Sequence, residues 1–292
     1  MRVLKICRFD DNRIGVVRDG TVRDVSRVLG KLPSLTYPLP FGDPFIAALS
    51  GLRPEMEALA DGASPIPLAD VRLLSPVANP SKIIGTPANY AAHNAETAKD
   101  PEIAVYRAAQ APNRSIEEQG LFLKATSSLV GTSEGVAVRF SDRRTDHEVE
   151  LGVVIGRRTG YVSEADALQV VAGYAIALDM VMRGKEDRSY RKSIDTYAVL
   201  GPWLVTADEI ANPNDLSFSL RVNGEVRQAA NTRDMIIGVA KQISWASSIY
   251  DLYPGDIIMS GTCDGVGPVR PGDVMALSFE KIGDATVPVR AA

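Results

Sequence analysis

The chain has 292 residues, 45% of them hydrophobic, and a formal net charge of -4. This length is sufficient for one large domain, or for one domain with a small companion. The sequence contains no long basic block, which argues against a nucleic-acid partner. Charged residues near the start replace the apolar stretch of a signal peptide, and the longest apolar region, residues 170–182, is too short to cross a bilayer. We therefore expect a cytoplasmic protein with no membrane partner.

The first 70 residues predict a small α+β domain. Apolar and polar residues alternate on both sides of Asp19-Gly20, a dipeptide typical of the turn in a hairpin. A Pro-rich passage follows, and residues 44–60 then have the pattern of a helix. These features predict an N-terminal domain over residues 1–70 and a second domain over residues 71–292.

The second domain is predicted to be a β-rich α+β domain, because many short apolar runs are separated by Gly and Pro. Two of its segments favour helices. Residues 163–173 begin with a serine suited to an N-cap, and residues 232–250 carry apolar residues at helical spacing.

Carboxylates are concentrated in and beside two apolar runs. The β-branched run that follows Glu150 predicts a strand over residues 146–156, so Glu148 and Glu150 point to the same side about 7 Å apart. Asp179 closes another apolar run, where an unpaired acid is costly. Protons, basic partners or a cation must neutralise such a group. Because Cys and suitable His residues are lacking, Mg²⁺, Mn²⁺ or Ca²⁺ fits better than Zn²⁺.

A plainer interpretation of these carboxylates is also consistent with the residues alone. Glu148 and Glu150 would lie on a solvated strand face, and Asp179 would pair with Arg183 one helical turn later.

The two histidines differ in their neighbours. Helical spacing puts Glu96 beside His93, and a carboxylate next to an imidazole raises its basicity, as a general base for water requires. The alternative is an exposed pair on a short surface helix. His147 should face away from Glu148 and Glu150, and we interpret it as structural or exposed.

Other catalytic motifs are weak. Ser260-Gly261 lacks the leading Gly of a nucleophile elbow, and the Gly-rich stretch GTCDGVG lacks the lysine of a phosphate loop. We interpret this stretch as a tight loop that brings Thr262 close to a ligand, or else as a simple connection between strands. Cys7 and Cys263 have neither metal-ligand spacing nor a disulfide framework.

In this order, the motifs resemble the fumarylacetoacetate hydrolase family. The matching segments cover nearly all of the chain after residue 80: NYAAHNAE (89–96), LFLKATSS (121–128), HEVELGVVIGR (147–157), GYAIALDMVMR (173–183), RKSIDTYAVLGPW (191–203), VNGEVRQ (222–228), LYPGDIIMSGTCDGVGPV (252–269) and RPGDVMALSFEKIG (270–283). The resemblance implies a mixed β-roll, here with a small N-terminal α+β domain, assembled as a homodimer.

The resemblance also implies roles for individual residues. The metal ligands, for Mg²⁺ or a similar ion, would be Glu148, Glu150 and Asp179. Catalysis would use the water-activating dyad of His93 and Glu96, together with Lys192, which would stabilise developing negative charge. Substrate would be contacted by Arg183, Tyr190 and Thr262.

The activity implied is metal-dependent hydrolysis of a carbon–carbon bond in an acylpyruvate or related oxo-acid, giving pyruvate or a similar acid and a carboxylate. The same scaffold hosts isomerases of hydroxymuconate-like diacids, oxaloacetate decarboxylases and lyases, so the fold does not separate these reactions. A non-catalytic protein that binds a metal and a carboxylate is a further alternative, which a water-activating dyad argues against.

The chain departs from the family pattern at two positions. Glu186 stands where a glutamine is common, which adds a negative charge near the pocket, and Cys263 replaces a loop proline. The polar segment from about Asn94 to Glu117 predicts a mobile lid over the site.

Overall fold

The computed structural model describes residues 3–103 and 115–292. Residues 104–114 of the predicted lid lie outside the described residues. The strands are β1 Lys5–Phe9, β2 Arg13–Arg18, β3 Thr21–Asp24, β4 Pro65–Pro67, β5 Leu73–Leu74, β6 Ile83–Gly85, β7 Phe122–Lys124, β8 Leu129–Val130, β9 Val136–Val138, β10 Thr145–His147, β11 Val149–Ile155, β12 Val171–Asp179, β13 Val181–Met182, β14 Ala198–Thr206, β15 Ser217–Val222, β16 Glu225–Asn231, β17 Ile257–Met259, β18 Gly267–Pro268, β19 Val274–Phe279 and β20 Gly283–Ala291.

Among the described residues helices are fewer than strands, as the many short apolar runs predicted. The α-helices are α1 Pro44–Gly62, α2 Ala91–Lys99, α3 Ile116–Gln119, α4 Arg188–Lys192 and α5 Val239–Ile249. Turns of 3-10 helix cover Ser26–Lys31, Leu68–Asp70, Thr126–Ser128, Ala167–Val170, Ala207–Glu209 and Thr232–Asp234.

One 12-stranded sheet organises the molecule, with the order β4-β3-β2-β1-β14-β12-β11-β17-β6-β7 and with β5 and β8 beside β1 and β14. A three-stranded sheet (β13-β10-β18) and a five-stranded sheet (β16-β15-β19-β20-β9) complete the fold. Neighbouring pairs are mostly antiparallel, and β17–β6, β14–β8 and β20–β9 are parallel. This mixed architecture confirms the predicted α+β class.

The predicted hairpin forms at Asp19-Gly20. Both residues have positive φ, 48° and 72°, which is the backbone that a two-residue hairpin turn requires. The turn sets the register Val17↔Val22 between β2 and β3. Strand β1 then pairs with β14, so the N-terminal strands continue the same sheet as the rest of the chain.

The first predicted helix is confirmed as α1. Its N-cap is Asp43, whose carboxylate accepts hydrogen bonds from the backbone N–H groups of Phe45 at 2.9 Å and Ile46 at 3.1 Å, while Pro44 occupies the first turn. Its buried face packs in the core cluster that contains Leu4, Val154, Ala175 and Ala177. The helix therefore covers one face of the large sheet.

Two helix predictions were wrong in their bounds. Residues 163–173 form only a short 3-10 turn before Val171 enters β12, because the ladder that β12 makes with β11 and β14 outweighs local helical pattern. In residues 232–250 the α-helix begins at Val239. The preceding N–H groups of Ile236 and Ile237 are bound instead by Asn89.

Candidate metal centre and active site

The three predicted metal ligands meet because of the register between β11 and β12. Val149 pairs with Leu178, which puts Glu148 opposite Asp179, and the Asp179 N–H donates to the Glu148 carbonyl at 2.9 Å. Glu148 and Glu150 are two residues apart and share one side. One carboxylate oxygen from each of the three residues lies within 4.8 Å of the other two.

The three carboxylates are buried, with exposed fractions of 5% for Glu148, 3% for Glu150 and 1% for Asp179. The alternative of a solvated strand face is therefore wrong. The single strand predicted over residues 146–156 is also wrong, because it breaks at Glu148, where the chain passes from β10 in the small sheet to β11 in the large one.

Two buried lysines neutralise Asp179. Lys192 donates to the Asp179 carboxylate at 2.5 Å and to the Glu148 carboxylate at 2.6 Å. Lys124 forms a buried ion pair with the other Asp179 oxygen and donates to the Tyr197 carbonyl at 2.9 Å. Asp179 is thus paired with lysines, whereas the plainer interpretation paired it with Arg183.

Arg183 instead bridges two acids of the β10–β11 segment. Its Nε donates to Asp146 at 2.7 Å and its Nη2 to Glu148 at 3.1 Å. Burial would raise the pKa of Glu148, but the charges of Lys192 and Arg183 outweigh burial and hold this pKa far below the ordinary carboxyl range. Glu148 is therefore ionised.

Glu150 is in the opposite electrostatic situation. Burial, assisted by the negative charge of Asp179, raises the pKa of Glu150 well above the ordinary range. Its carboxylate accepts one hydrogen bond, at 2.8 Å from the Gly261 N–H, and no basic side chain of residues 3–103 or 115–292 forms an ion pair with it. A buried acid without a cationic partner, facing two other carboxylates, fits a hard divalent cation with oxygen ligands.

A cavity of about 110 Å³ opens beside the carboxylates. The helix α4 presents one face to it, because Arg188, Arg191 and Lys192 follow the i, i+3, i+4 spacing and all three line the cavity. The full described lining is Thr86, Pro87, Ala88, His93, Asn94, Thr97, Ile103, Gln119, Phe122, Glu148, Glu150, Asp179, Arg183, Gly184, Arg188, Arg191, Lys192 and Thr262.

Tyr190 lies on the same helix but off that face. Its side chain is 59% exposed, and it is not among the described residues that line the cavity. Its predicted contact with substrate stays a prediction, without support from this geometry.

The predicted dyad lies on α2. The side chain of His93 lines the cavity and is 13% exposed, so the alternative of an exposed surface pair does not describe it. Its Nδ1 lies 3.9 Å from the Glu96 carboxylate, which is ion-pair distance and longer than a hydrogen bond. Glu96 also accepts the Gly265 N–H at 3.0 Å, and burial raises the pKa of Glu96.

Thr262 lines the cavity with its hydroxyl already engaged, donating to the Val149 carbonyl and accepting from the Gln228 amide, both at 2.8 Å. Gln228 also bonds the Cys263 carbonyl and Nδ1 of the buried His147, which is structural and not exposed. The GTCDGVG loop is therefore fixed to the β10–β11 segment. Cys263 and Cys7 are free thiols, and burial raises the pKa of each to about 12.

The departure at Glu186 adds no free negative charge to the cavity. Its carboxylate accepts hydrogen bonds from both terminal nitrogens of Arg143, at 2.8 and 2.9 Å, and these bonds lower the pKa of Glu186 to about 2. Glu186 is not among the described lining residues.

The residue patterns gave no role to Lys124, Asp146 or Gln228. The signal for Lys124 was present, because a lysine inside the apolar run LFLKA is rarely buried unless it is paired. Asp146 joins Arg144, two residues earlier, to Arg183, 37 residues later, and Gln228 bonds partners 34 to 81 residues distant, so sequence spacing gave no signal for these longer links.

No helix among the described residues is long and apolar enough to cross a membrane.

Comparisons with known proteins bear on the activity. Over 288 residues the chain is 53% identical to a maleylpyruvate hydrolase of Aquipseudomonas alcaligenes, covering 99% of this chain and 100% of the relative. It is 35% identical over 254 residues to a mitochondrial oxaloacetate tautomerase of Bos taurus, covering 81% and 74% of the two chains.

A solved structure is similar over almost the whole length. The maleylpyruvate hydrolase from Sphingobium sp. SYK-6, in complex with manganese (II) ion and pyruvate, matches with a TM-score of 0.81 and 36% identity, covering 99% of each chain. The predicted class, a metal-dependent hydrolase acting on an oxo-acid, is confirmed. The model of the family described as Fumarylacetoacetate (FAA) hydrolase C-terminal matches residues 82–290. The chain belongs to the fumarylacetoacetate hydrolase family, as its ordered motifs predicted.

Proposed function

We propose that this enzyme hydrolyses the carbon–carbon bond of an acylpyruvate with Mg²⁺ as its working ion, Mn²⁺ or Ca²⁺ being alternatives. One observation carries the proposal: a buried trio of carboxylates lies in the same cavity as a histidine and a lysine. The similarity to maleylpyruvate hydrolases supports an acylpyruvate as substrate. We also infer that the enzyme is a cytoplasmic homodimer, by analogy with its family.

The trio of Glu148, Glu150 and Asp179 would hold the divalent cation, which supplies Lewis-acid stabilisation to negative charge on the oxo-acid end of the substrate. His93, oriented by Glu96, takes a proton from water while the water oxygen attacks the distal carbonyl. Lys192 balances the negative charge that develops beside the trio. The carbon–carbon bond then breaks, giving a carboxylate, and the proton taken by His93 returns to the carbon that becomes the pyruvate methyl group.

The proposal is tested by following pyruvate release from a panel of acylpyruvates, oxaloacetate and hydroxymuconate analogues with Mg²⁺, Mn²⁺ or Ca²⁺. We expect cleavage of an acylpyruvate that stops in excess chelator and returns with Mg²⁺. Full turnover in chelator by metal-free protein would refute the metal assignment. Turnover of any acylpyruvate would exclude a protein that only binds a metal and a carboxylate.

The relative named as an oxaloacetate tautomerase favours a second candidate, isomerisation or decarboxylation on the same site. Hydrolysis requires a base for water, whereas decarboxylation releases CO₂ without a nucleophile. We therefore expect His93→Ala to lower the hydrolytic rate by about 10²- to 10⁴-fold, and Glu96→Gln to lower it less, while any decarboxylation of oxaloacetate survives better. Intact acylpyruvate cleavage in His93→Ala would show that the assignment of the His93 and Glu96 dyad is wrong.

A further inference from the structure

Arg191 is a buried cation that lines the same cavity as the carboxylate trio. The residue is 8% exposed. Its Nε donates to the Glu186 carbonyl at 2.9 Å and its Nη1 to the Met182 carbonyl at 3.4 Å. A guanidinium carries five N–H donors, and these two backbone contacts engage only part of them. Within the part of the chain that the structure describes, no carboxylate lies within ion-pair distance of Arg191.

This isolation contrasts with Lys192 and Arg183, which each contact a carboxylate of the trio directly. Glu186, whose backbone carbonyl accepts from Arg191, has its carboxylate held by Arg143. A buried charge is costly unless an opposite charge compensates it, so the cavity is complementary to an anion at Arg191.

The surroundings of Arg191 strengthen this complementarity. Burial and the neighbouring charge of Arg183 lower the pKa of Arg191, so both act against its positive charge. A guanidinium matches the planar, two-oxygen geometry of a carboxylate better than an ammonium does. A carboxylate is therefore an anion that fits Arg191.

An acylpyruvate that is also a diacid carries carboxylates at both ends. Under the proposed function, on which this step rests, the oxo-acid end lies at Glu148, Glu150 and Asp179. Arg191 forms no hydrogen bond or ion pair with these three residues in the described part of the chain, although it lines the same cavity. We infer that Arg191 binds the distal carboxylate of the substrate and so selects diacid acylpyruvates over those with an uncharged acyl end.

The inference can be tested by binding, without turnover. 2-Oxoheptanedioate and 2-oxoheptanoate have carbon chains of equal length and differ in the distal carboxylate, and neither has the second carbonyl that hydrolysis attacks. Titration calorimetry with the Mn²⁺-loaded enzyme should show tighter binding of the diacid. Arg191→Gln should weaken diacid binding by about 10- to 100-fold, the usual worth of hydrogen bonds to a charged group, and monoacid binding by less than about threefold.

Two further variants make the result specific. Lys185→Gln removes the same charge from an exposed position outside the described cavity lining, and should leave both affinities unchanged. Arg191→Lys keeps the positive charge but lacks the paired N–H donors of the guanidinium. It should retain part of the preference for the diacid, so the proposal can still be tested if Arg191→Gln fails to fold.

Each outcome decides the inference. Equal losses for both ligands would mean that Arg191 serves the shared oxo-acid carboxylate, and a wild-type enzyme without preference for the diacid would also overturn the proposal. A diacid preference that depends on Arg191, in an enzyme that cleaves no acylpyruvate, would support this inference while the hydrolase proposal fails.

Discussion

Replacing Glu150 by Gln should have different effects on the stability of the metal-free enzyme and of the metal-loaded enzyme. In the metal-free state burial and the charge of Asp179 raise the pKa of Glu150 well above its ordinary value, which favours the protonated acid. Gln has the same shape as the protonated acid, and its carbonyl can accept the Gly261 N–H as the acid does. We therefore expect the metal-free Glu150→Gln protein to be at least as stable as the metal-free wild type, because Gln carries no charge for Asp179 to repel.

The metal-free wild type should depend on pH in a way that the variant does not. A carboxyl group whose folded pKa lies above its unfolded pKa stabilises the fold fully below the unfolded pKa, and this contribution is lost as pH rises through the folded pKa. Glu150 should therefore make the metal-free wild type less stable with rising pH above the ordinary carboxyl range. Glu148, whose pKa is depressed, acts in the opposite direction and only at acid pH.

With metal the two proteins should diverge. Glu150→Gln replaces one of the three proposed anionic ligands by a neutral oxygen. Mutating even a residue that only hydrogen-bonds to a metal ligand lowers metal affinity by about 10- to 100-fold. At a metal concentration that saturates both the wild type and the variant, a 100-fold weaker affinity removes about 2.7 kcal/mol of metal-linked stability. Urea unfolding with chelator and with Mn²⁺, repeated across pH, measures each quantity.

The matched control is Glu164→Gln, which makes the same chemical change at an exposed position. It should leave both the metal-linked stabilisation and the pH dependence unaltered. An equal stabilisation of Glu150→Gln and wild type by Mn²⁺ would refute the assignment of Glu150 as a ligand. A pH profile shared by the metal-free variant and wild type would refute the electrostatic argument.

Three further expectations follow from single contacts. Lys124→Met leaves buried Asp179 with one lysine fewer and should cost about 3–5 kcal/mol in the metal-free enzyme by urea unfolding, and a loss below about 1 kcal/mol would contradict the pairing. Gln228→Leu should lower stability by at least about 1–3 kcal/mol in thermal melts, because it leaves the His147 Nδ1–H without its acceptor, and an unchanged melting temperature would argue against that role. Tyr190→Ala should keep kcat/KM within about twofold, since Tyr190 is exposed and is not among the described residues that line the cavity, and a larger loss would support its predicted contact with substrate.

Local pattern was sufficient where the structure depends on near neighbours. The Asp19-Gly20 hairpin, the helix α1 and the common side of Glu148 and Glu150 follow from turn chemistry, capping and the period of a strand. The helix expected over residues 163–173 failed because strand pairing across the sheet, which no local window contains, claimed Val171 onward.

The balance of charge in the site could not be read from the residue patterns. Lys124 meets Asp179 across 55 residues. The Glu186 carboxylate pairs with Arg143, 43 residues earlier, while Arg191, five residues later, contacts only the Glu186 backbone carbonyl. Such pairings are set by topology, and topology here depends on contacts between distant strands.

The Gln228 bridge also fixes the tautomer of an imidazole. The Gln228 side-chain carbonyl accepts the Val149 N–H at 3.1 Å and lies 3.0 Å from Nδ1 of His147, so Nδ1 must carry the hydrogen. Nε2 is then a bare lone pair, buried and without a hydrogen-bond partner among the described residues. Protonating it would bury an N–H with no acceptor, which agrees with the pKa of His147, lowered mainly by burial. The imidazole of His147, next to Glu148 in the chain, thus stays uncharged. Titration of this imidazole therefore adds no positive charge beside the carboxylate trio.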